Sequence, residues 1–149
     1  MTIFFQKYKI KKIMNTKEVK KQKVINKLEK ILSEEEHIVF AYLHGSFLSE
    51  DEFNDFDIAL YLDDKTEKKI DPANFEITYS LKLEKHLNIP VDVKVLNFAP
   101  LSFRYHSTRR YLLFSRDDLI REEFLCRTWS EYFDFKPVSR IYLRETFAA

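Results

Sequence analysis

The chain has 149 residues, 25 basic and 24 acidic side chains, a formal net charge of +1 and a hydrophobic fraction of 45%. That length fits one domain whose core needs no staples, and the near-neutral balance excludes a surface given over by bulk charge to nucleic acid or membrane. The lone cysteine, Cys126, excludes an internal disulfide, no Cys/His cluster has zinc spacing, and no apolar run approaches the ~20 residues of a membrane span, so a cytoplasmic protein is expected.

The chain opens MTIFFQKYKIKKIMNTKEVKKQK. A short apolar patch ahead of the lysines reverses the order of a secretory leader. A second methionine, Met14, follows, so residues 1–17 are expected to be a tail or a mis-assigned start, with 18–149 forming one domain. Residues 16–34 set Val24, Ile25, Leu28, Ile31 and Leu32 on one face, which predicts an amphipathic helix. HIVFAYL, 37–43, is apolar with β-branched and aromatic residues and predicts a buried strand that stops at Gly45. Ser46 to Asn54 is a connector in which Ser49-Glu50-Asp51-Glu52 reads as a capping box.

DFDIALYL, 55–62, predicts the next strand. Residues 71–88 space Phe75, Tyr79, Leu83 and Leu87 by four behind Pro72, a helix with proline in its first turn. VDVKVL, 91–96, alternates and predicts a third strand. Pro100 opens a helix to about Arg110, and Tyr111–Phe114 forms a short strand. Residues 117–132 predict a helix with Ile120, Phe124, Leu125 and Trp129 inward and Cys126 packed, and 134–147 a separate one. The sum is an α/β (α+β) domain: a small mixed sheet packed with helices, followed by C-terminal helices.

The chemistry concentrates in HGSFLSEDEFNDFDIALYL. Gly45 is the only glycine in the chain. Its backbone position therefore requires what no other residue supplies, positive φ or close approach to a ligand. Residues i and i+2 of a strand share a face, so Asp55 and Asp57 present two carboxylates side by side. Such anions repel and lose hydration unless a cation relieves them. Hard oxygen ligands suit Mg²⁺, which bridges carboxylates to substrate phosphates. If VDVKVL lies beside DFDIALYL, Asp92 adds a third carboxylate, and three can hold two metals about 4 Å apart for in-line phosphoryl displacement. Gly45 would let the backbone approach a triphosphate, with the Ser46 hydroxyl and following N–H groups binding it.

Gly45-Ser46, Asp55-Phe56-Asp57-Ile58 and Asp92 together resemble the motif of the DNA polymerase beta-like nucleotidyltransferase superfamily. Val91-Asp92-Val93-Lys94-Val95-Leu96-Asn97 with Ala99-Pro100, and Tyr132-Phe133-Asp134-Phe135-Lys136-Pro137, extend the resemblance to the minimal nucleotidyltransferase (MNT) antitoxins that accompany HEPN ribonuclease toxins. It spans about residues 18–147. The resemblance implies transfer of AMP from ATP to a tyrosine of the partner HEPN toxin, two Mg²⁺ ions, and a heteromeric complex. It also implies Asp55 and Asp57 as metal ligands, Asp92 as the third carboxylate beside the incoming hydroxyl, and Gly45 and Ser46 as the triphosphate cradle.

Three departures stand out. The gap between Ser46 and Asp55 holds eight residues, fewer than is usual in that family. Leu48-Ser49-Glu50 replaces its Ala-Arg-Gly, and Arg110 stands where a glycine is usual. A shorter, more acidic connector keeps a second reading open, an antitoxin that neutralises by binding alone; transfer to a small molecule is a third. Direct nucleic-acid binding is not expected at this net charge. For His44 the default is a packed or supporting residue. For Lys94 it is an ion pair or a phosphate contact. For Arg104, Arg109 and Arg110 it is a solvated face, against a partner or phosphate surface. Trp129, Tyr132, Phe133 and Phe135 read as core or protein interface.

Overall fold

The computed structural model describes residues 16–45 and 55–147. Among these, α1 (Thr16–Ser33) leads into β1 (Ile38–His44) and then β2 (Phe56–Leu62). A short helix α2 (Asp64–Glu67) and a longer α3 (Pro72–Leu87) carry the chain to β3 (Val91–Val95). A 3₁₀ turn (Leu96–Phe98), α4 (Leu101–Ser107), β4 (Tyr111–Ser115) and α5 (Asp118–Phe147) complete it.

The strands form one sheet in the order β3-β2-β1-β4. β1 pairs antiparallel with both β2 and β4. β2 and β3 are parallel, joined across α2 and α3, as a parallel pair requires a crossover connection. Burial of β1 on both faces explains why its sequence is apolar from Ile38 to Leu43 rather than alternating. A bulge between Ile38 and Phe40 shifts its register, so Ile38, Ala41 and Leu43 point to one side and Val39, Phe40 and Tyr42 to the other.

On the first face, Ile25, Leu28 and Leu32 of α1 and Tyr79, Leu83 and Leu87 of α3 pack on Ile58, Leu60, Val93 and Val95. On the second, Phe124 of α5 meets Phe40, Tyr42 and Ala59. Phe40 stacks on Tyr61 at 4.8 Å. The helices of this second face leave one end of the sheet bare, and there Asp92 and Lys94 of β3 are exposed while Val91, Val93 and Val95 are buried.

β3 is an edge strand whose outward N–H groups need partners. α3 supplies them from one face: Val91 N–H donates to Glu84 (3.1 Å), Val93 N–H to Ser80 (3.0 Å) and Val95 N–H to Glu76 (3.0 Å). Past the end of the ladder, Asn97 pairs like a strand residue, its side chain accepting from Leu62 N–H and donating to Leu62 C=O, both at 2.9 Å.

Four sequence expectations change. α2 was not anticipated; Asp63 caps it, accepting from Thr66 N–H at 2.8 Å. The separate helix at 134–147 is instead the second half of α5, which runs through Pro137. The proline removes one N–H, but this stretch is exposed, so the freed carbonyl is open to solvent. Ile120 and Trp129 are 38% and 37% exposed rather than inward. The buried stripe of α5 is Phe124 and Thr128, with Ile120 beyond it on the wall of an open cleft of about 510 Å³. Trp129 flanks α4, its indole N–H 3.3 Å from Thr108 Oγ1. Cys126 is exposed, not packed. The capping box at 49–52 lies outside the described residues.

Candidate active site

β1 and β2 run antiparallel, so the end of one meets the start of the other, and His44 lies opposite Asp57. The parallel register of β2 with β3 sets Asp57 opposite Asp92. Both carboxylates project from the bare end of the second face. Asp55 precedes the first strand residue and is exposed; alternation puts it on the same side. The neighbouring Phe56 is fully buried, and its N–H donates to Pro90 C=O at 2.9 Å. That bond holds the start of β2 against the start of β3 and brings the acidic residues together.

Gly45 ends β1 with φ +86°. A Cβ at this position would overlap Asp57 Oδ2 and lie 2.9 Å from its Cγ. The sole glycine thus answers two demands, the left-handed backbone and the approach of the Asp57 carboxylate. The close neighbour is a side chain of the site itself. Ser46 lies outside the described residues.

Burial raises the pKa of Asp57, and the charges of Asp55 and then Asp92 raise it further. Asp57 is therefore repelled by both other carboxylates, as expected where a cation is to be taken up. Among the described residues no three acidic, His or Cys side chains close into a ligand cluster. The donor set still fits a hard divalent ion, because Mg²⁺ commonly takes only one or two carboxylates and completes its shell with water and substrate phosphates.

His44 is half-buried, with its ring edge-on to Phe103 of α4 at 5.2 Å. Its Nε2 has no hydrogen-bond partner among the described residues. Burial holds its pKa below the ordinary imidazole value; Asp92 works against that and Arg110 with it. His44 therefore lies electrostatically between Asp92 and Arg110, a relationship that spacing along the chain does not reveal.

The other cations separate by partner. Lys94 pairs with Glu76 at 3.6 Å rather than with the site carboxylates. Arg104 pairs with Glu131 at 3.7 Å. Arg109 lies over the Tyr105 ring at 5.2 Å. Tyr132 stacks on Tyr105 at 3.8 Å and so packs α5 against α4. Phe133 and Phe135 are exposed.

The family model for polymerase beta nucleotidyltransferases matches residues 26–119, which include β1, β2, β3 and the whole carboxylate row. No curated protein sequence matches the chain significantly. Among solved structures, the chain is similar to one in the Shewanella oneidensis complex of a tri-AMPylated HEPN toxin with its MNT antitoxin. The identity is 22% and the TM-score 0.66, over 85% of this chain and 98% of that one. A second neighbour, in the MntA–HepT toxin–antitoxin complex, has 21% identity and a TM-score of 0.65, over 84% of this chain and 97% of that one. A third, in a toxin–antitoxin complex with AMP-PNP, has 21% identity and a TM-score of 0.67, over 82% and 97%. At such identities the likeness establishes the fold. Among the described residues no helix is long and apolar enough to cross a membrane.

Proposed function

The chain belongs to the polymerase beta nucleotidyltransferase family, and on that premise we propose that it is an antitoxin that transfers AMP from ATP to a tyrosine of a partner HEPN ribonuclease. The observation that carries this reading is the alignment of Asp57 with Asp92 across β2 and β3, with Gly45 packed against the Asp57 carboxylate. The choice of acceptor is supported by the fold neighbours, one of which is bound to a HEPN toxin that carries AMP; another was captured with AMP-PNP.

In the proposed reaction the tyrosine hydroxyl oxygen attacks the α-phosphorus of ATP. The bond from that phosphorus to the bridging oxygen breaks, pyrophosphate leaves, and the hydroxyl proton passes to Asp92. Asp55, Asp57 and Asp92 are the residues that would hold divalent cations. When bound, two Mg²⁺ ions would neutralise the triphosphate and lower the pKa of the attacking hydroxyl. Gly45 permits the backbone to turn over Asp57, and Ser46, from its place in the chain, is assigned to the triphosphate. Phe103 packs edge-on against His44 beside the carboxylates.

The test is to incubate the purified pair with ATP labelled at the α-phosphate and Mg²⁺. Label on the HEPN partner that vanishes in Asp55→Asn and Asp57→Asn supports transfer. Neutralisation that persists undiminished in those variants, with no label, supports the binding-only antitoxin, the alternative that the short acidic connector favours.

A further inference from the structure

We infer that Arg110 is the phosphate anchor of this site, binding the nucleotide's phosphate chain at the end of the row away from the carboxylates. The inference rests on the nucleotidyl-transfer reading above and adds a binding residue to it.

Leu43 pairs with Tyr111, and extending that register by one residue sets Arg110, immediately ahead of β4, across from His44. His44 stands across from Asp57, and Asp57 from Asp92. One row thus reads Arg110, just ahead of β4, then His44, Asp57 and Asp92 on β1, β2 and β3. The row shares a face: Leu112 packs with Tyr42 on the second face, and alternation carries Arg110 and His44 to that same face.

Charge decides what the row can do. Its carboxylate end holds Asp57 and Asp92, with Asp55 alongside, and calls for cations. Two strand spacings, about 10 Å, separate Arg110 from Asp57, so Arg110 does not neutralise that cluster. A phosphate chain beginning over the carboxylates and running along the row meets His44 next and then the Arg110 guanidinium. Guanidinium suits this position because its planar fork binds phosphate oxygens in pairs. The other cations near this end are engaged: Lys94 with Glu76, Arg104 with Glu131, Arg109 on Tyr105. Arg110 is exposed and has no ion pair among the described residues.

The test is calorimetric titration of Arg110→Gln and Arg110→Lys with AMP-PNP and with AMP, in Mg²⁺. Arg110→Gln is expected to weaken AMP-PNP about ten-fold or more and AMP less than two-fold, with an unchanged melting temperature and a shallower salt dependence. Arg110→Lys is expected to recover part of the loss. Wild-type AMP-PNP affinity in Arg110→Gln overturns the anchor and leaves the transfer reading standing, as does an equal loss for AMP and AMP-PNP. An unchanged nucleotide affinity with a weakened partner complex would place Arg110 on the protein interface and equally overturns it. Failure of the wild-type protein to bind AMP-PNP overturns both readings together.

Discussion

The carboxylate of Asp57 occupies the space in which any residue other than glycine at position 45 would carry its Cβ. The only glycine of the chain and the central carboxylate of the site are therefore mutually fitted. With φ at +86°, Gly45→Ala meets both a backbone penalty and a steric one.

Gly45→Ala is expected to fold with a stability loss of about 1–3 kcal/mol, the usual cost of a non-glycine residue in such a backbone region. Transfer activity should fall by far more than that loss explains, because relief of the overlap moves the Asp57 carboxylate. Urea denaturation and single-turnover transfer, measured on the same preparation, check the two together. Near wild-type transfer by Gly45→Ala would mean that Asp57 can shift without consequence.

Asp57 yields a prediction of opposite sign for stability. Its folded-state pKa is raised, by burial and then by Asp55 and Asp92. A carboxyl with a raised folded pKa binds its proton more tightly in the native state. The ionised form therefore opposes folding above that pKa, and the penalty fades as pH falls through it. Without divalent ions, Asp57→Asn is expected to melt higher than wild type near pH 7, with the gap closing on acidification. Added Mg²⁺ should raise the melting temperature of wild type and leave Asp57→Asn nearly unmoved. Thermal scans across pH, with and without Mg²⁺, read both effects.

The edge of β3 depends on α3. Glu76, Ser80 and Glu84 accept the outward N–H groups of Val95, Val93 and Val91, so one helix face both stabilises the edge and fixes the strand that carries Asp92. Ser80→Ala leaves the Val93 N–H without its partner and is expected to cost about 1–2 kcal/mol. The Val93 amide should exchange faster while those of β1 keep their protection. Hydrogen exchange followed by NMR makes the comparison residue by residue.

The strands and the carboxylate triplet were legible in the sequence because their signals are local. β1 is apolar throughout because it is buried on both faces. Asp55 and Asp57 are two apart, and Asp92 sits in a strand that alternates. Gly45 was marked by its solitude, but the object that approaches it, the Asp57 side chain, is set by pairing across strands. The role of Arg110 was equally hidden: in the chain it is one of three arginines near Tyr105 and Tyr111, and only the β1–β4 register separates it from Arg104 and Arg109. The continuity of α5 was missed: the break expected between residues 132 and 134 does not occur, and the helix also runs through Pro137, where on an exposed stretch the freed carbonyl can turn to solvent.

The most direct test of the central claim is the intact mass of the HEPN partner after co-expression with this protein. A partner heavier by one or more AMP units is expected, with the added mass on a tyrosine, and an unmodified partner when Asp57→Asn is co-expressed. A partner of unmodified mass that is nevertheless silenced by the wild-type protein would contradict nucleotidyl transfer as the means of neutralisation.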